Sequence, residues 1–393
     1  MKEQVESKNS CVQHVETECE RALRSALADE FKLFPSYGKK FSLERWLDEY
    51  DNDVDSVIPK LRWTLRTLNA IGAHQMDTSS IEAANQCLRN YNPIIPFFPG
   101  GLMSYDRMGN IVYVQPIGRS HPTLLTQNGR VSMYYKFLIL EGFVTHQLIC
   151  NEEERRNKRL GQIAIFDMNG LNRYFVTPSY LKLTTNIYRI LQVMFPGVTR
   201  KVYVINTSSL VYQTFRFIQL FLTKKIRDVV EFLGDNWQSR LVQEIGEENL
   251  LPFWGGKMPA PQPSANIRMV LIRIISRKRA KSLEWANGRE LELIKVPPRR
   301  CTTVTTNIQA EGQILKWYFI CSGGDIEFYL LRDDEEIYPR IPLSTQFYPE
   351  FGEIKCDKTG RYDLCFDNQH SILRTKTISY LIEIIDEANY QHT

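Results

Sequence analysis

The chain has 393 residues, of which 43% are hydrophobic, and it contains 20 phenylalanines and 19 tyrosines. This length leaves room for two or three domains of ~150 residues each, and the apolar content excludes a largely disordered chain. The net charge is only +4, which excludes a surface that is basic throughout and predicts no nucleic-acid partner.

The eight cysteines are scattered, with no CxxC pair and no histidine at metal-ligand spacing. We therefore expect reduced thiols, a cytoplasmic location and no bound metal. The first ten residues, MKEQVESKNS, are polar and indicate no secretory signal. The longest apolar runs, such as 269–275, are far shorter than the ~20 residues that a membrane span requires.

The N-terminal part of the chain has a helical pattern. Residues 1–20 are polar, and we expect them to be flexible. From 21 to 90, apolar residues recur at helical spacing, as in Val57, Leu61 and Leu65, which predicts a small helical subdomain. Helix N-caps are predicted at Ser42 and at Asp55 or Ser56.

Residues 91–256 alternate between strand and helix patterns, which predicts an α/β domain. Residues 94–101 read as a loop, and a turn at 105–110 leads into a strand at 111–115. Further strands are predicted at 161–167 and 201–206, and helices at 130–150 and 180–195, the second starting at Thr177 or Ser179. The charged run 152–159 is interpreted as a solvated helix end.

The segment 211–222, called the lid segment below, is the most informative part of the chain. Its apolar stripe is wide and is bordered by only three polar residues, Gln213, Arg216 and Gln219. A helix this apolar either covers other apolar groups or is covered by them. The pattern alone leaves two interpretations open, an ordinary core helix or a lid over a hydrophobic cavity.

If the lid segment covers a cavity, the neighbouring strands supply its floor, because alternate side chains of a strand share one face. The predicted pocket residues are Tyr113, Gln162, Ala164, Phe166, Val202, Val204, Phe215, Ile218 and Leu222. Gln213 and Arg216 are expected at the rim. A lipid with ~30 methylenes would cost ~24 kcal/mol to expose to water, so a carrier must close its pocket in solution.

The C-terminal part of the chain has a different pattern. Residues 257–282 form a proline-rich linker with a basic run, which is either a membrane-facing patch or a strand and turn whose arginines pair with acids. Residues 283–387 predict an all-β sandwich, with strands at 291–296, 302–308, 317–320, 325–330, 360–368 and 376–385. Residues 388–393 are a tail. Asp367 and Asn368 are expected to fix a turn rather than to bind a ligand.

A search for catalytic motifs finds no nucleotide-binding loop, zinc-protease helix or serine-hydrolase elbow. The six histidines lie in unrelated contexts. Asp167 follows a predicted strand, and we interpret it as a turn-capping residue before Asn169 and Gly170 rather than as a catalytic carboxylate. We therefore predict no catalytic residues, no cofactor other than a bound lipid, and no enzymatic activity.

The order of parts in residues 195–256 resembles the C-terminal half of a CRAL-TRIO lipid-binding domain, the family of phosphatidylinositol transfer proteins and of tocopherol and retinal carriers. The resemblance rests on 202–206, 215–216, 232–234, Trp237, Leu241, Ile245 and, most specifically, 249–252 followed by Gly255 and Gly256. It implies a mixed sheet covered by helices, an apolar pocket, and a lid segment that gates this pocket.

The β-rich segment resembles a GOLD (Golgi dynamics) domain, a jelly-roll-like sandwich. The resemblance rests on Trp317, Asp325, Ile326, Gly360, Tyr362, 366–368, Ser371, Lys376 and Tyr380. The order of the two domains is similar to that in the cytosolic carriers related to supernatant protein factor. It implies a protein-interaction module with a Golgi or trafficking partner.

The chain departs from the phosphatidylinositol-transfer pattern at three positions. Gly197 and Val229 stand where those members have Glu and Lys, and Asp48 stands where a second Arg is expected. Loss of charged partners at a buried phosphate costs several kcal/mol, so we predict weak or absent phosphatidylinositol selectivity. The expected ligand is another phospholipid, a tocopherol or an isoprenoid-like lipid.

Three basic residues after the lid segment, Lys224, Lys225 and Arg227, are predicted to help dock the pocket on anionic membranes, each contributing ~1 kcal/mol. The alternative is that they are ordinary solvated side chains.

The predicted function is a cytoplasmic, membrane-peripheral protein that holds one hydrophobic lipid and exchanges it at membranes. One alternative is a lipid-sensing trafficking adaptor without net transfer. Another is a scaffold whose pocket is filled by side chains such as Phe166 and Tyr203.

Overall fold

The computed structural model describes residues 16–91, 98–120, 130–172, 175, 177–259, 286–345 and 348–389. The expectations for the first 15 residues, for 94–97, for the basic run of the linker and for the end of the tail lie outside these residues. The described part has a helical N-terminal region, an α/β domain with a mixed sheet, and two antiparallel sheets in a sandwich-like arrangement. The predicted fold class is confirmed.

The N-terminal region consists of α1 (Glu18–Ala26), α2 (Ala28–Leu33), α3 (Lys40–Glu49), α4 (Val54–Ala70) and α5 (Ile81–Tyr91). Helix α1 begins inside the span that was expected to be flexible. Thr17 and Glu20 explain this start, because the Glu20 amide donates to the Thr17 hydroxyl oxygen and the Thr17 amide donates to the Glu20 carboxylate. This reciprocal cap satisfies two amides at the helix start.

Two predicted helix caps are wrong. Ser42 lies inside α3, is 1% exposed, and places its hydroxyl 3.0 Å from Nε2 of His146. The cap of α4 is Asp53, whose side chain accepts a hydrogen bond from the Ser56 amide. A serine near an apolar run is compatible with a helix cap and with a buried hydrogen bond. The partner that favours the buried position here, His146, lies 104 residues later in the sequence.

The α/β domain is built on five strands: β1 (Gly101–Tyr105), β2 (Ile111–Pro116), β3 (Gln162–Asp167), β4 (Thr199–Ile205) and β5 (Val230–Phe232). They lie in the order β1-β2-β3-β4-β5, with β1 antiparallel to β2 and the others parallel. The loop predicted at 94–101 was wrong at its end, because β1 starts at Gly101.

The parallel strands are joined by helices, as their geometry requires. These are α6 (Val131–Arg156) between β2 and β3, α7 (Pro178–Met194) between β3 and β4, and α8 (Ser209–Ile218) and α9 (Lys224–Asp228) between β4 and β5. Helix α10 (Trp237–Ile245) follows β5. Within the described part, no helix is long and apolar enough to cross a membrane.

The charged run 152–159 is not simply a solvated helix end. Helix α6 continues to Arg156, and Glu153 within it is only 2% exposed. Its carboxylate accepts hydrogen bonds from the buried Arg45 guanidinium of α3 and from the Leu160 amide. The run therefore fastens the helical N-terminal region to the α/β domain, which the local charge pattern did not indicate.

The C-terminal sandwich contains β6 (Glu292–Val296), β7 (Cys301–Ile308), β8 (Ile314–Ser322), β9 (Ile326–Arg332), β10 (Glu335–Leu343), β11 (Glu350–Lys355), β12 (Gly360–Asp367) and β13 (Lys376–Ile385). One sheet has the order β10-β9-β12-β7 and the other the order β11-β8-β13-β6. Strands β10 and β11 were not predicted. The aromatic side chains of Trp317, Phe319, Phe328 and Phe366 pack between the sheets.

The sandwich packs directly on α6 and α7. The Ser132 hydroxyl donates to the Glu350 carboxylate at 2.6 Å, and Arg130 donates to the Phe351 carbonyl. Lys182 of α7 lies 2.9 Å from the Asp325 carboxylate. The sandwich therefore contacts the same two helices that run over the sheet of the α/β domain.

Candidate functional site

The sheet of the α/β domain has one packed face and one face that lines a cavity. On the packed face, Val114, Ile165 and Tyr203 form a core with Leu241 of α10 and with Trp254. On the other face, strand register aligns Tyr113, Ala164, Val202 and Val230 in one row and Gln115, Phe166, Val204 and Phe232 in the next. All eight side chains of these two rows line the cavity.

Two helices form the walls of this cavity. Helix α6 contributes Tyr134, Leu138 and Glu141, and helix α7 contributes several residues, among them Tyr180, Thr184, Ile187, Tyr188 and Leu191. Burial raises the pKa of Tyr188 to about 12, and burial also raises the pKa values of Tyr134 and Tyr180. These phenols are therefore neutral hydrogen-bonding groups at physiological pH.

The lid segment lines a further side of the cavity. It is helical as α8 up to Ile218 and continues as a 3-10 turn at Gln219–Phe221. Val211, Phe215, Ile218 and Leu222 line the cavity, as the stripe in the sequence requires. The ring of Phe215 contacts that of Phe232 edge to face, with centroids 5.0 Å apart.

The outer side of the lid segment is partly apolar as well. Leu220 is 72% exposed and Tyr212 is 49% exposed, although Tyr212 also stacks on Phe232. Gln213 and Arg216, expected at the rim, are exposed and do not line the cavity. The lid segment thus presents apolar groups both to the cavity and to the outside.

The cavity has a volume of about 290 Å³, and the whole space between its walls, including the part open to solvent, is about 1810 Å³. The cavity volume of about 290 Å³ is about twice the ~150 Å³ of an engineered apolar cavity that binds benzene. Among the described wall residues there is one carboxyl group, that of Glu141, and there is no lysine or arginine. The cavity therefore suits an apolar chain and offers no cation to a buried phosphate.

A small polar patch of hydrogen-bonded side chains lies on the largely apolar wall. The Tyr113 hydroxyl is 2.6 Å from Oε1 of Gln115 and 3.1 Å from Oε2 of Glu141. Gln115 donates from Nε2 to the Pro99 carbonyl at 2.6 Å. The patch is buried, so these groups bond to one another instead of to water.

All nine residues predicted for the pocket lie on the cavity wall: Tyr113, Gln162, Ala164, Phe166, Val202, Val204, Phe215, Ile218 and Leu222. That these residues bind a lipid stays a prediction. Tyr203, considered as a side chain that could fill the pocket, points to the opposite face, and Phe166 lines the cavity without closing it.

Sequence reasoning missed the wall residues of α6 and α7. Phe137 and Val144 of α6 lie in the core, whereas the cavity is lined by the adjacent face with Tyr134, Leu138 and Glu141. Helix α6 is buried nearly all round, so its periodicity does not distinguish a core face from a cavity face. No stripe in the sequence therefore indicated this face, although Glu141 is an acidic residue within the otherwise apolar stretch 137–144.

The three basic residues after the lid segment have different environments. Lys225 lies 3.2 Å from the Glu49 carboxylate and donates to the Asp48 carbonyl at 2.7 Å. Arg227 donates to the carbonyls of Gln219 and Leu222. Lys224 is exposed. Two of the three side chains therefore hold the end of the lid segment, and membrane docking by all three stays a prediction.

The three positions that depart from the phosphatidylinositol-transfer pattern lie near an ion-pair network. Asp48 pairs with Arg159, and its main-chain carbonyl accepts from Lys225. Gly197 has φ of +64° and lies against the Arg45 side chain, which is itself paired with Glu153. The Val229 carbonyl accepts from the Val202 amide. The basic groups here are already paired with protein carboxylates.

Asp167 behaves as a turn residue. Its Oδ1 accepts hydrogen bonds from the Asn169 amide at 2.9 Å and from the Asn206 side chain at 2.7 Å. These bonds join the ends of β3 and β4. The described residues contain no group of three or more His, Cys, Asp or Glu side chains placed to hold a metal ion.

Comparison with known proteins agrees with this geometry. Residues 98–256 match the family model described as the CRAL/TRIO domain, which confirms the resemblance for that part of the chain. The C-terminal sandwich has no counterpart in that match, so its assignment as a GOLD domain stays a prediction.

Two curated relatives are named phosphatidylinositol/phosphatidylcholine transfer proteins, SFH12 and SFH14 of Arabidopsis thaliana. SFH12 is 23% identical over 247 residues, covering 58% of this chain and 44% of the relative. SFH14 is 19% identical over 250 residues, covering 63% of this chain and 42% of the relative. The chain therefore spans less than half the length of these relatives.

A solved structure, described as the crystal structure of Sfh5, aligns with a TM-score of 0.43 at 15% identity. The alignment covers 62% of this chain and 89% of the Sfh5 chain.

Proposed function

We propose that this protein binds one hydrophobic lipid in the cavity beneath the lid segment and exchanges it at membranes. The observation that carries the proposal is the pair of side-chain rows on β2 to β5, which face a largely apolar cavity that the lid segment also lines. The names of the curated relatives support lipid binding and transfer at the family level.

The lid segment would act as the gate. An apolar ligand is costly to expose to water but not to a bilayer, so the cavity must be closed in solution and open at a membrane. Leu220 and Tyr212, on the outer side of the lid segment, give it an apolar surface that a bilayer would accept. Exchange then proceeds at the membrane surface from a protein that is otherwise cytoplasmic and only peripherally bound. No catalytic step is part of this function.

The cavity favours a lipid without a buried phosphate. Its described wall carries one carboxyl group and no basic side chain. Arg159, Arg45 and Lys225, three basic residues near the altered positions Asp48 and Gly197, are paired with protein carboxylates. We therefore expect a tocopherol, an isoprenoid-like lipid or a phospholipid other than phosphatidylinositol, with any charged headgroup outside the cavity.

The test is native mass spectrometry of the full chain purified from cells, with identification of the extracted lipid. One lipid per chain, with phosphatidylinositol absent or a minor component, is the expected result. Stoichiometric phosphatidylinositol would overturn the headgroup argument. A chain without lipid that also fails to take up lipid from vesicles would overturn the proposal itself.

A second candidate function is a lipid-sensing adaptor that recruits a trafficking partner through the GOLD-like sandwich. The observation that favours it is the direct packing of the sandwich on α6 and α7, the helices that form the cavity walls. An assay of lipid movement from donor to acceptor vesicles separates the two functions. The adaptor takes up lipid but gives no net transfer.

A further inference from the structure

Two turns at one end of the β-sandwich form a single surface, which we call the sandwich tip. One turn comprises residues 297–300, between β6 and β7, and the other comprises residues 368–375, between β12 and β13. The Arg299 amide lies 3.1 Å from the carbonyl oxygens of both Asn368 and Ser371. The Asn368 amide in turn donates to the Arg300 carbonyl at 2.9 Å.

Asn368 fixes the shape of the sandwich tip. It is 2% exposed, and its Nδ2 lies 2.9 to 3.2 Å from the carbonyl oxygens of Val296, Pro297 and Arg374. The Ser371 hydroxyl and the Arg374 main chain are also hydrogen-bonded to each other. Because these bonds define the backbone on both sides, the side chains at the apex are held in place by the fold.

Two adjacent aliphatic side chains are exposed at this apex. Ile372 is 66% exposed and Leu373 is 88% exposed. They lie on a turn whose conformation is fixed by hydrogen bonds, so their exposure is a property of the fold and not of a frayed end. Within the described part of the sandwich, Leu293 is comparably exposed at 71%, but it is a single residue on the strand β6.

The same apex carries three exposed arginines, Arg299, Arg300 and Arg374. None of them forms an ion pair with a carboxylate of the described residues. Other arginines of the sandwich do: Arg332 pairs with Asp357, Arg340 with Asp367, and Arg361 with Asp334. Three exposed arginines without an ion pair among the described residues thus lie beside the most exposed aliphatic pair of the sandwich.

We propose that the sandwich tip is a docking site for an anionic lipid surface. Ile372 and Leu373 enter the boundary between headgroups and acyl chains, while the arginines bind lipid phosphates. An apolar group flanked by cations is the arrangement that interfacial membrane binding uses. A protein partner would normally require a broad interface of about 800 Å² per side, rich in aromatic residues, whereas this apex offers two aliphatic side chains.

The sandwich tip acts independently of the cavity, because it belongs to a different domain from the lid segment. Its binding does not require a lipid in the cavity, and it does not require the proposed transfer function. A failure of membrane docking and a failure of lipid transfer are therefore measured separately.

The test is flotation of the full chain with vesicles of phosphatidylcholine alone or of phosphatidylcholine with phosphatidylserine. Leu373→Gln is compared with Leu293→Gln, which removes an equally exposed leucine elsewhere. A double variant of the tip, Arg299→Gln and Arg374→Gln, is compared with a control double variant, Lys158→Gln and Lys358→Gln. The control removes the same charge from exposed positions away from the tip. Equal melting temperatures of all variants exclude unfolding as a cause.

The wild-type chain is expected to bind the anionic vesicles and to be released by salt. Leu373→Gln should weaken binding about tenfold, from the free energy of burying one leucine. The double arginine variant should weaken it about 30-fold, at about fivefold for each charge. Both control variants should bind like the wild type.

Three outcomes would overturn the proposal. The first is equal binding to vesicles with and without phosphatidylserine, and the second is tip variants that bind like their controls. The third is loss of all vesicle binding in Lys224→Gln, which would place the docking site beside the lid segment instead. If the tip variants lose a protein partner in pull-down experiments but still bind vesicles, the tip is a protein-binding site and the lipid assignment is wrong.

Discussion

Lys225 and Glu49 lie 3.2 Å apart and join the helical N-terminal region to the end of the lid segment. The Lys225 ammonium also donates to the Asp48 carbonyl at 2.7 Å. At the same end of the lid segment, the Gln192 side chain of α7 accepts from the Thr223 amide and donates to the Phe221 carbonyl. The lid segment is thus held at its C-terminal end by polar contacts from two different helices.

We expect Lys225→Met to favour opening of the lid segment. The Lys225 side chain is 57% exposed, so the ion pair contributes only ~0.2–1 kcal/mol, and amide exchange across 209–222 should increase by about 1.4- to fivefold. Hydrogen exchange measured by mass spectrometry checks this without any lipid. Lys224→Met is the control, and equal exchange in both variants would contradict a role for the ion pair.

A larger side chain at Ala164 should exclude lipid without unfolding the protein. Ala164 lies on the cavity floor between Tyr113 and Val202, so the ring in Ala164→Phe can enter the cavity. It would displace roughly three lipid methylenes, which corresponds to about 2 kcal/mol of binding free energy. Native mass spectrometry should show less bound lipid, and the melting temperature should not fall.

The matched control for Ala164→Phe is Ile165→Phe. Ile165 is fully buried in the packed face, so the added volume has no cavity to enter. Overpacking of this kind costs ~1–3 kcal/mol, and urea denaturation should show that loss. If the two variants are equally destabilised, the space beneath the lid segment does not accept the ring, and the cavity interpretation is wrong.

His146 should make the protein less stable in acid. Its ring stacks on Tyr37, and its Nε2 lies 3.0 Å from the Ser42 hydroxyl. Burial, with repulsion from Arg45 and Lys39, lowers the pKa of His146 to about 3. An unfolded histidine titrates near pH 6.5, so below that pH the unfolded state binds a proton that the folded state does not.

The resulting pH dependence has a definite sign. The contribution of His146 is complete above pH 6.5 and is lost as the pH falls from 6.5 toward about 3, by ~1.4 kcal/mol per pH unit. Urea denaturation at several pH values measures this slope. His146→Gln should reduce the slope of unfolding free energy against pH relative to the wild type, whereas substitution of an exposed histidine, His74→Gln, should leave that slope unchanged. An unchanged slope in His146→Gln would assign the acid sensitivity to other groups.

Removal of the Glu350 carboxylate should weaken the attachment of the sandwich to the α/β domain. Glu350 is 1% exposed and accepts a hydrogen bond from Ser132. Burial raises the pKa of Glu350, and the neighbouring Arg130 and Lys136 oppose that rise. Glu350→Ala removes the buried acceptor of the Ser132 hydroxyl, which should cost ~1–3 kcal/mol in urea denaturation.

Glu353→Ala is the control for this interface, because Glu353 lies on the same strand, β11, with its side chain 42% exposed. It should cost less than ~1 kcal/mol. Separate unfolding transitions for the two domains in Glu350→Ala, but not in Glu353→Ala, would locate the effect at the interface. A loss of similar size in both variants would argue against a specific role for the buried carboxylate.

Strands β3 and β4 and the lid segment were predictable because each has a single, clear periodicity. The alternation in β3 and β4 placed Ala164, Val202 and Val204 on one face, and the structure has them there. Tyr134 and Glu141 of α6 were not predictable, because a helix that is buried on nearly every side gives no preferred stripe.

The missed strands have local causes. Strand β1 follows Pro99 and Gly100, which read as a loop, and β10 contains Pro339 and Pro342, which weaken a strand pattern. The burial of Glu153 depends on Arg45, which comes from a helix 108 residues earlier in the chain. No short window of sequence contains that information.

Tyr203 and Val204 are consecutive in β4, yet Tyr203 belongs to the packed core and Val204 faces the cavity. Within this strand, tolerance of added side-chain volume should therefore switch from one position to the next. Insertion or deletion of one residue in β4 would exchange the two faces and turn Tyr203 toward the cavity. Sequence drift in this domain can thus adjust the volume of the cavity by substitution, but hardly by changing strand length.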